Sequence, residues 1–226
     1  MANSKTTSDF VSDRANLIQA SITMTITALA NQLRKEGKDV IGMSAGEPDF
    51  DTPDSIKEAG IDSINQGKTK YTPAAGTVEL KQAVVNKLKQ DQGLDYDLSE
   101  VIISAGAKHS IFNALMAVLN PGDEVIMANT NWVATASPII HLGATPIFVD
   151  ILEDSWCIDP SQIENAITSK TKAVIYTQMN GRIGQINKIK EICKKKNLIL
   201  IEDAAHAIGS YYKNKHVGNF GIAGSF

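Results

Sequence analysis

From residue 101 onward the chain repeats one unit: a short apolar run, a stretch of helical character, then another apolar run. The runs are 101–104, 125–127, 146–149, 173–177 and 198–201, and "AGSF" at 223–226 opens a sixth. Helices are expected at 108–119, 133–142 and 183–196. Asp159-Pro160-Ser161-Gln162 opens another as a capping box. Short strands alternating with helices imply right-handed crossovers and a parallel sheet. The runs lack polar alternation, so both faces of the sheet must be covered. The expected fold is α/β, a mostly parallel sheet with helices on both faces, with "SYYKNKHVGNFG" as a polar excursion or hairpin.

The first hundred residues are less regular. Residues 1–14 read as an arm, and 22–36 as a helix stopped by Gly37. Thr52 and Pro53 read as the N-cap and first position of a further helix. Residues 77–92 form another, with Val78, Val85 and Leu88 on one side.

Bulk properties exclude several functions. A net charge of −3 gives no basic footprint for nucleic acid, and Lys194, Lys195 and Lys196 suit a helix C-terminus. No apolar run approaches the roughly 20 residues of a membrane span, and "MANSKTTSDF" has no signal core. Cys157 and Cys193 have neither paired nor metal-like spacing and read as free thiols, which fits the cytoplasm.

Ligands of such sheets collect beyond the carboxyl ends of the strands. There stand "SAGAKHS", "NTNWVATA", Gln178 with Asn180, and "LILIEDAAHA". Gly106 and Ala107 before a helix make either an anion site or a tight strand–helix turn. Trp132 either stacks on a planar ligand or anchors the start of a helix. Asp203 ends a buried strand and needs a cation, from the fold or from a ligand. His206 either lines the same pocket or is a hydrogen-bonded core histidine. No G-x-G-x-x-G and no Walker lysine is present. Pyridoxal 5′-phosphate combines a phosphate, a flat ring and a ring nitrogen that wants an anion.

The motifs carry a double resemblance. "GKDVIGMSAGEPDFDTP", "GKTKYTPAAGTVELKQAV" and "GAKHSIFNALMAVLNPGDEVI", over about 15–127, resemble aspartate-aminotransferase-like class I enzymes. "NWVATASPIIHLGATPIFVDI", "IDPSQIENAITSKTKAVI" and "LIEDAAHAIGSYYKNKHVGNFG", over about 128–226, resemble DegT-type sugar aminotransferases. Both are fold-type I pyridoxal-phosphate enzymes. The resemblance implies an aminotransferase joining an amino donor and a keto acceptor, working as a homodimer with shared sites. It implies cofactor contacts at Gly106, Ala107, Lys108, Trp132, Asp203 and His206, and at Tyr71 toward the partner's phosphate. Gly46 would lie beside the substrate carboxylate. Asp203 would act in catalysis by keeping the pyridine nitrogen protonated. Residues 1–45 would belong to the small domain and 46–226 to part of the large domain, with the C-terminal small domain absent.

The departures are specific. "NPTG" is absent, Gln178 stands where the DegT type has His, and the lysine that binds the cofactor covalently is expected a few residues past Phe226. The chain alone is therefore expected not to transaminate. The alternatives are a non-catalytic module that keeps the fold and perhaps the ligand, and a keto-sugar aminotransferase.

Overall fold

The computed structural model describes residues 10–226 apart from 45, 47 and 49. It forms two compact units, Met1–Lys70 and Tyr71–Phe226. Of the expected arm, residues 1–9 lie outside the described residues, and α1 (Asp13–Asn16) follows, capped by the Ser12 hydroxyl. The first unit also holds α2 (Ile22–Lys35) and α3 (Asp54–Asn65), neither with a buried residue. The start of α3 differs from expectation. Pro53 is its N-cap and offers no side-chain bond. Lys57 instead bridges Asp51 and Asp54 at the helix start, at 2.6 and 3.2 Å.

The second unit contains α4 (Val78–Gln92), α5 (Ala107–Val118), β1 (Glu124–Ala128), α6 (Val133–His141), β2 (Thr145–Val149), α7 (Pro160–Ala166), β3 (Thr171–Thr177), α8 (Ile186–Lys196), β4 (Ile199–Asp203), β5 (Tyr211–Tyr212), β6 (Lys215–His216) and β7 (Ala223–Ser225). Five strands make one sheet in the order β2-β1-β3-β4-β7, every pair parallel. The polar excursion is the antiparallel hairpin β5–β6.

The sheet is covered on both faces, as unbroken apolar strands require. On one face Ile126, Val174 and Leu200 pack with Ile163, Ile186, Ile189 and Cys193 of α7 and α8. On the other, Val125, Met127, Ile175 and Ile201 pack with Ile111 and Leu115 of α5 and Ile139 of α6. Successive residues of a strand face opposite sides. Asp203, two residues after Ile201, therefore faces α5 and α6, while Glu202 faces the α7–α8 side.

Two further expectations are corrected. Residues 101–104 are not a strand. The segment is extended at Val101, but it borders an open groove of about 760 Å³ shared with β7, and no described strand lies beside it to complete a ladder. The Ile103 N–H goes to the Ala75 carbonyl instead, at 3.0 Å. The capping box at Asp159 is not made: its carboxylate accepts the Ser161 N–H at 2.8 Å, a simple N-cap. Gln162 turns away and accepts the Asp150 N–H at 3.0 Å, stitching α7 to the end of β2.

Candidate active site

The chain leaves β1 for β2 on one side and resumes at β3 on the other, so the carboxyl ends of β1 and β3 flank a topological switch point. Asn131 spans it. Its Nδ2 donates to Thr177 Oγ1 at 2.9 Å, and its Oδ1 accepts the Trp132 N–H at 2.7 Å. This fixes Trp132 as the N-cap residue of α6 and leaves its ring half exposed. The Lys108 ammonium lies 5.8 Å from the ring centroid, within cation–π range.

Lys108 belongs to the first turn of α5. Gly106 is the N-cap, at φ +86°, a conformation that strains any residue with a Cβ. No side chain caps this turn and no acid sits in it. The helix therefore presents free N–H groups and the positive end of its dipole, as an anion site requires. A Cβ built on Gly106 would meet nothing within 4 Å, so the approach is open. From the edge of the sheet, Ser225 Oγ of β7 donates to the Ala107 carbonyl at 3.1 Å.

Asp203 ends β4 and is buried. Its Oδ2 accepts the Thr135 hydroxyl at 3.1 Å, and its Oδ1 has only a long 3.4 Å contact from the Ala205 N–H. Among the described residues it has no cationic partner. A buried carboxylate so placed is stabilised by a cation supplied from outside the fold.

Lys108 and Trp132 are thus brought together, and Asp203 joins them through Thr135 of α6. His206 is exposed in the turn after β4, which excludes the core-histidine reading. The buried histidine is His216, whose Nε2 accepts the Gly209 N–H at 2.9 Å. Tyr71 is fully exposed and joins none of these bonds. Gly46 is exposed within the first unit, with nothing within 4 Å of a built Cβ. The sequence reading placed Asn131 at a strand end without giving it a role, and it did not single out Thr135 or Ser225. Thr135 had a local signal: it lies one helical turn after Trp132, on the same face.

A family model described as the DegT/DnrJ/EryC1/StrS aminotransferase family matches residues 99–226. The chain belongs to that family. The match takes in the turn at Gly106 as well as Trp132 and Asp203. An aspartate aminotransferase of Bacillus subtilis is 36% identical over 211 residues, covering 90% of this chain and 54% of that protein. A probable aspartate/prephenate aminotransferase of Rhizobium leguminosarum is 42% identical over 176 residues, covering 77% and 44%. The solved aspartate aminotransferase from Thermus thermophilus with maleate superposes at TM-score 0.74 and 34% identity, over 85% of this chain and 52% of that one. The chain of this DegT/DnrJ/EryC1/StrS family member spans about half the length of the curated relatives it matches.

Pyridoxal 5′-phosphate is the cofactor of these aminotransferases, and the donor set fits it. The uncapped turn at Gly106 suits its phosphate, Trp132 its flat ring, and the cation-less Asp203 its protonated nitrogen.

Proposed function

We propose that this chain supplies the cofactor-binding part of an aminotransferase that moves an amino group between a small amino acid and a keto acid. The observation that carries the reading is Asp203. It is a buried carboxylate at the end of β4 with a side-chain donor on one oxygen only, on the sheet face that also bears α5 and α6. Bound there, pyridoxal phosphate supplies an electron-withdrawing ring that stabilises charge on the carbon losing its proton. Asp203 holds a proton on the ring nitrogen, and Thr135 fixes which carboxylate oxygen does so. Trp132 covers one ring face and keeps water from it. The first-turn N–H groups of α5, with Gly106 and Ala107, hold the phosphate, and Lys108 adds positive charge. We assign Tyr71 to a partner's phosphate site in a homodimer, Gly46 to the substrate carboxylate, and His206 to the rim. Residues 1–45 fall to a smaller domain of the full enzyme. Two buried free thiols suit a reducing cytoplasm, and no described helix is long and apolar enough to cross a membrane.

The match of residues 99–226 to the DegT/DnrJ/EryC1/StrS aminotransferase family, together with the resemblance of 128–226 to DegT-type sugar aminotransferases, supports a keto-sugar acceptor as a second reading. The relatives' names support aspartate as donor.

The 226 residues are expected to bind pyridoxal phosphate reversibly and not to turn over, because Lys108 is assigned to the phosphate and no residue of the described site is assigned to hold the cofactor covalently. Titration followed by cofactor absorbance checks binding, and Asp203→Ala should weaken it at least tenfold, the order of a lost charge-assisted hydrogen bond. Affinity unchanged in that variant would remove Asp203 from the site. Borohydride reduction followed by peptide mapping should find no lysine adduct, and sustained keto-acid release would refute the claim of no turnover.

A further inference from the structure

Glu202, the neighbour of Asp203, is fully buried on the other face of β4. Its Oε1 accepts the N–H groups of Phe220 and Gly221 at 2.5 and 2.8 Å. Its Oε2 accepts the Gly218 N–H at 2.8 Å and Gln178 Nε2 at 2.6 Å. Three of the four donors are backbone groups of one turn, and that turn leads directly into β7.

β7 needs such a device. It is three residues long, Ala-Gly-Ser, with no large side chain to choose its face. Strands of this kind specify register weakly, and a slip of one residue sends every side chain to the opposite side. In the observed register Glu202 pairs with Gly224 and Asp203 with Ser225. This register puts the Ser225 hydroxyl on the Ala107 carbonyl, in the first turn of α5. Glycine is required where the turn closes: a Cβ on Gly218 would run into the Phe226 ring, and one on Gly221 into the Leu200 carbonyl.

We propose that Glu202 is a positioning residue for the phosphate site. Its carboxylate keys the 218–221 turn, sets the register of β7, and through Ser225 holds the first turn of α5 where a phosphate is bound. The proposal rests on the pyridoxal-phosphate reading above and adds a residue that touches no part of the cofactor. Gln178 completes the key from the end of β3.

The test compares affinities of the 226-residue chain for pyridoxal 5′-phosphate and for pyridoxal, which lacks the phosphate. Glu202→Gln sets an amide NH₂ against donors that now face an oxygen. Gln178→Met removes one donor and leaves the other three. The wild-type chain should prefer the phosphorylated ligand. Glu202→Gln should cut that preference about tenfold, the scale of a buried hydrogen bond to a charged group, with pyridoxal affinity nearly unchanged. Gln178→Met should cut it in the same direction by less, and it decides the matter if Glu202→Gln does not fold. A merely structural role would lower melting temperature and both affinities alike. Preference kept at the wild-type ratio in the folded variants overturns the proposal. No preference in the wild-type chain overturns the phosphate-turn reading itself, and Glu202's role with it.

Discussion

The Thr135 hydroxyl donates to Asp203 Oδ2 at 3.1 Å across 68 residues of sequence, with both side chains buried. The bond ties the first turn of α6, which also begins with Trp132, to the end of β4. It occupies one carboxylate oxygen and leaves the other with a long backbone contact. Asp203 is thereby oriented as well as buried.

Removing that donor leaves a buried acceptor short of a partner. Thr135→Val, which keeps the side-chain shape, should lower unfolding free energy by about 1–3 kcal/mol. Thr135→Ser should recover most of it. Urea unfolding of the three proteins measures this, and equal midpoints for the Val and Ser variants would show that the bond contributes nothing.

Trp132 is exposed enough that its loss should barely touch the fold. Trp132→Ala should change stability by no more than about 0.5 kcal/mol, yet weaken pyridoxal-phosphate binding by roughly three- to tenfold through lost stacking. Trp132→Phe should bind close to wild type. Absorbance titration separates the cases, and full affinity in the alanine variant would argue that the ring packs on the protein rather than on a ligand.

Gly221 sits where a side chain cannot. A Cβ there would overlap the Leu200 carbonyl, the group that accepts the Ile222 N–H at 2.9 Å. Gly221→Ala must push the entry to β7 away from β4 and should cost about 1–3 kcal/mol, as overpacking does. An unchanged thermal midpoint would mean that the turn yields freely and fixes little.

The buried thiols should make the fold less stable at alkaline pH. Burial pushes Cys193 from 9.0 up to about 12 and also raises Cys157. Desolvation raises the Tyr176 hydroxyl too, which donates to the Ile183 carbonyl. An unfolded chain ionises these groups first, so it binds fewer protons than the folded chain once the unfolded values are passed. The stability they contribute is full below about pH 9 and falls as pH rises toward 12. Melting temperature should drop steadily above pH 9. Neither thiol should react with a thiol reagent at pH 8 until denaturant is added. Rapid labelling of native Cys193 would contradict its burial.

Part of the candidate site was legible because it lies where strand ends must lie. Trp132 and Asp203 follow apolar runs that are strands, and that position alone placed them at the carboxyl edge of the sheet, whereas Gly106 and Lys108 follow a run that is not one. Residues 101–104 misled because their composition suits a strand, while being one also needs a neighbour, and an open groove borders them. Gln178 and Glu202 gave no signal of their partnership. Their bond joins adjacent strands in a register that only pairing sets.

Local periodicity and turn chemistry in the sequence determined the alternation of strand and helix, the parallel sheet covered on both faces, and the set of residues at its carboxyl edge. These follow from spacing along the chain, where the physics is short-range. The tertiary structure alone decided that Thr135 orients Asp203, that Asn131 bridges β1 and β3, that Ser225 meets the first turn of α5, and that Glu202 is filled by the amides of a turn sixteen to nineteen residues away. Each is a hydrogen bond between groups distant in sequence. Its partner is chosen by strand order and register, which no single segment encodes.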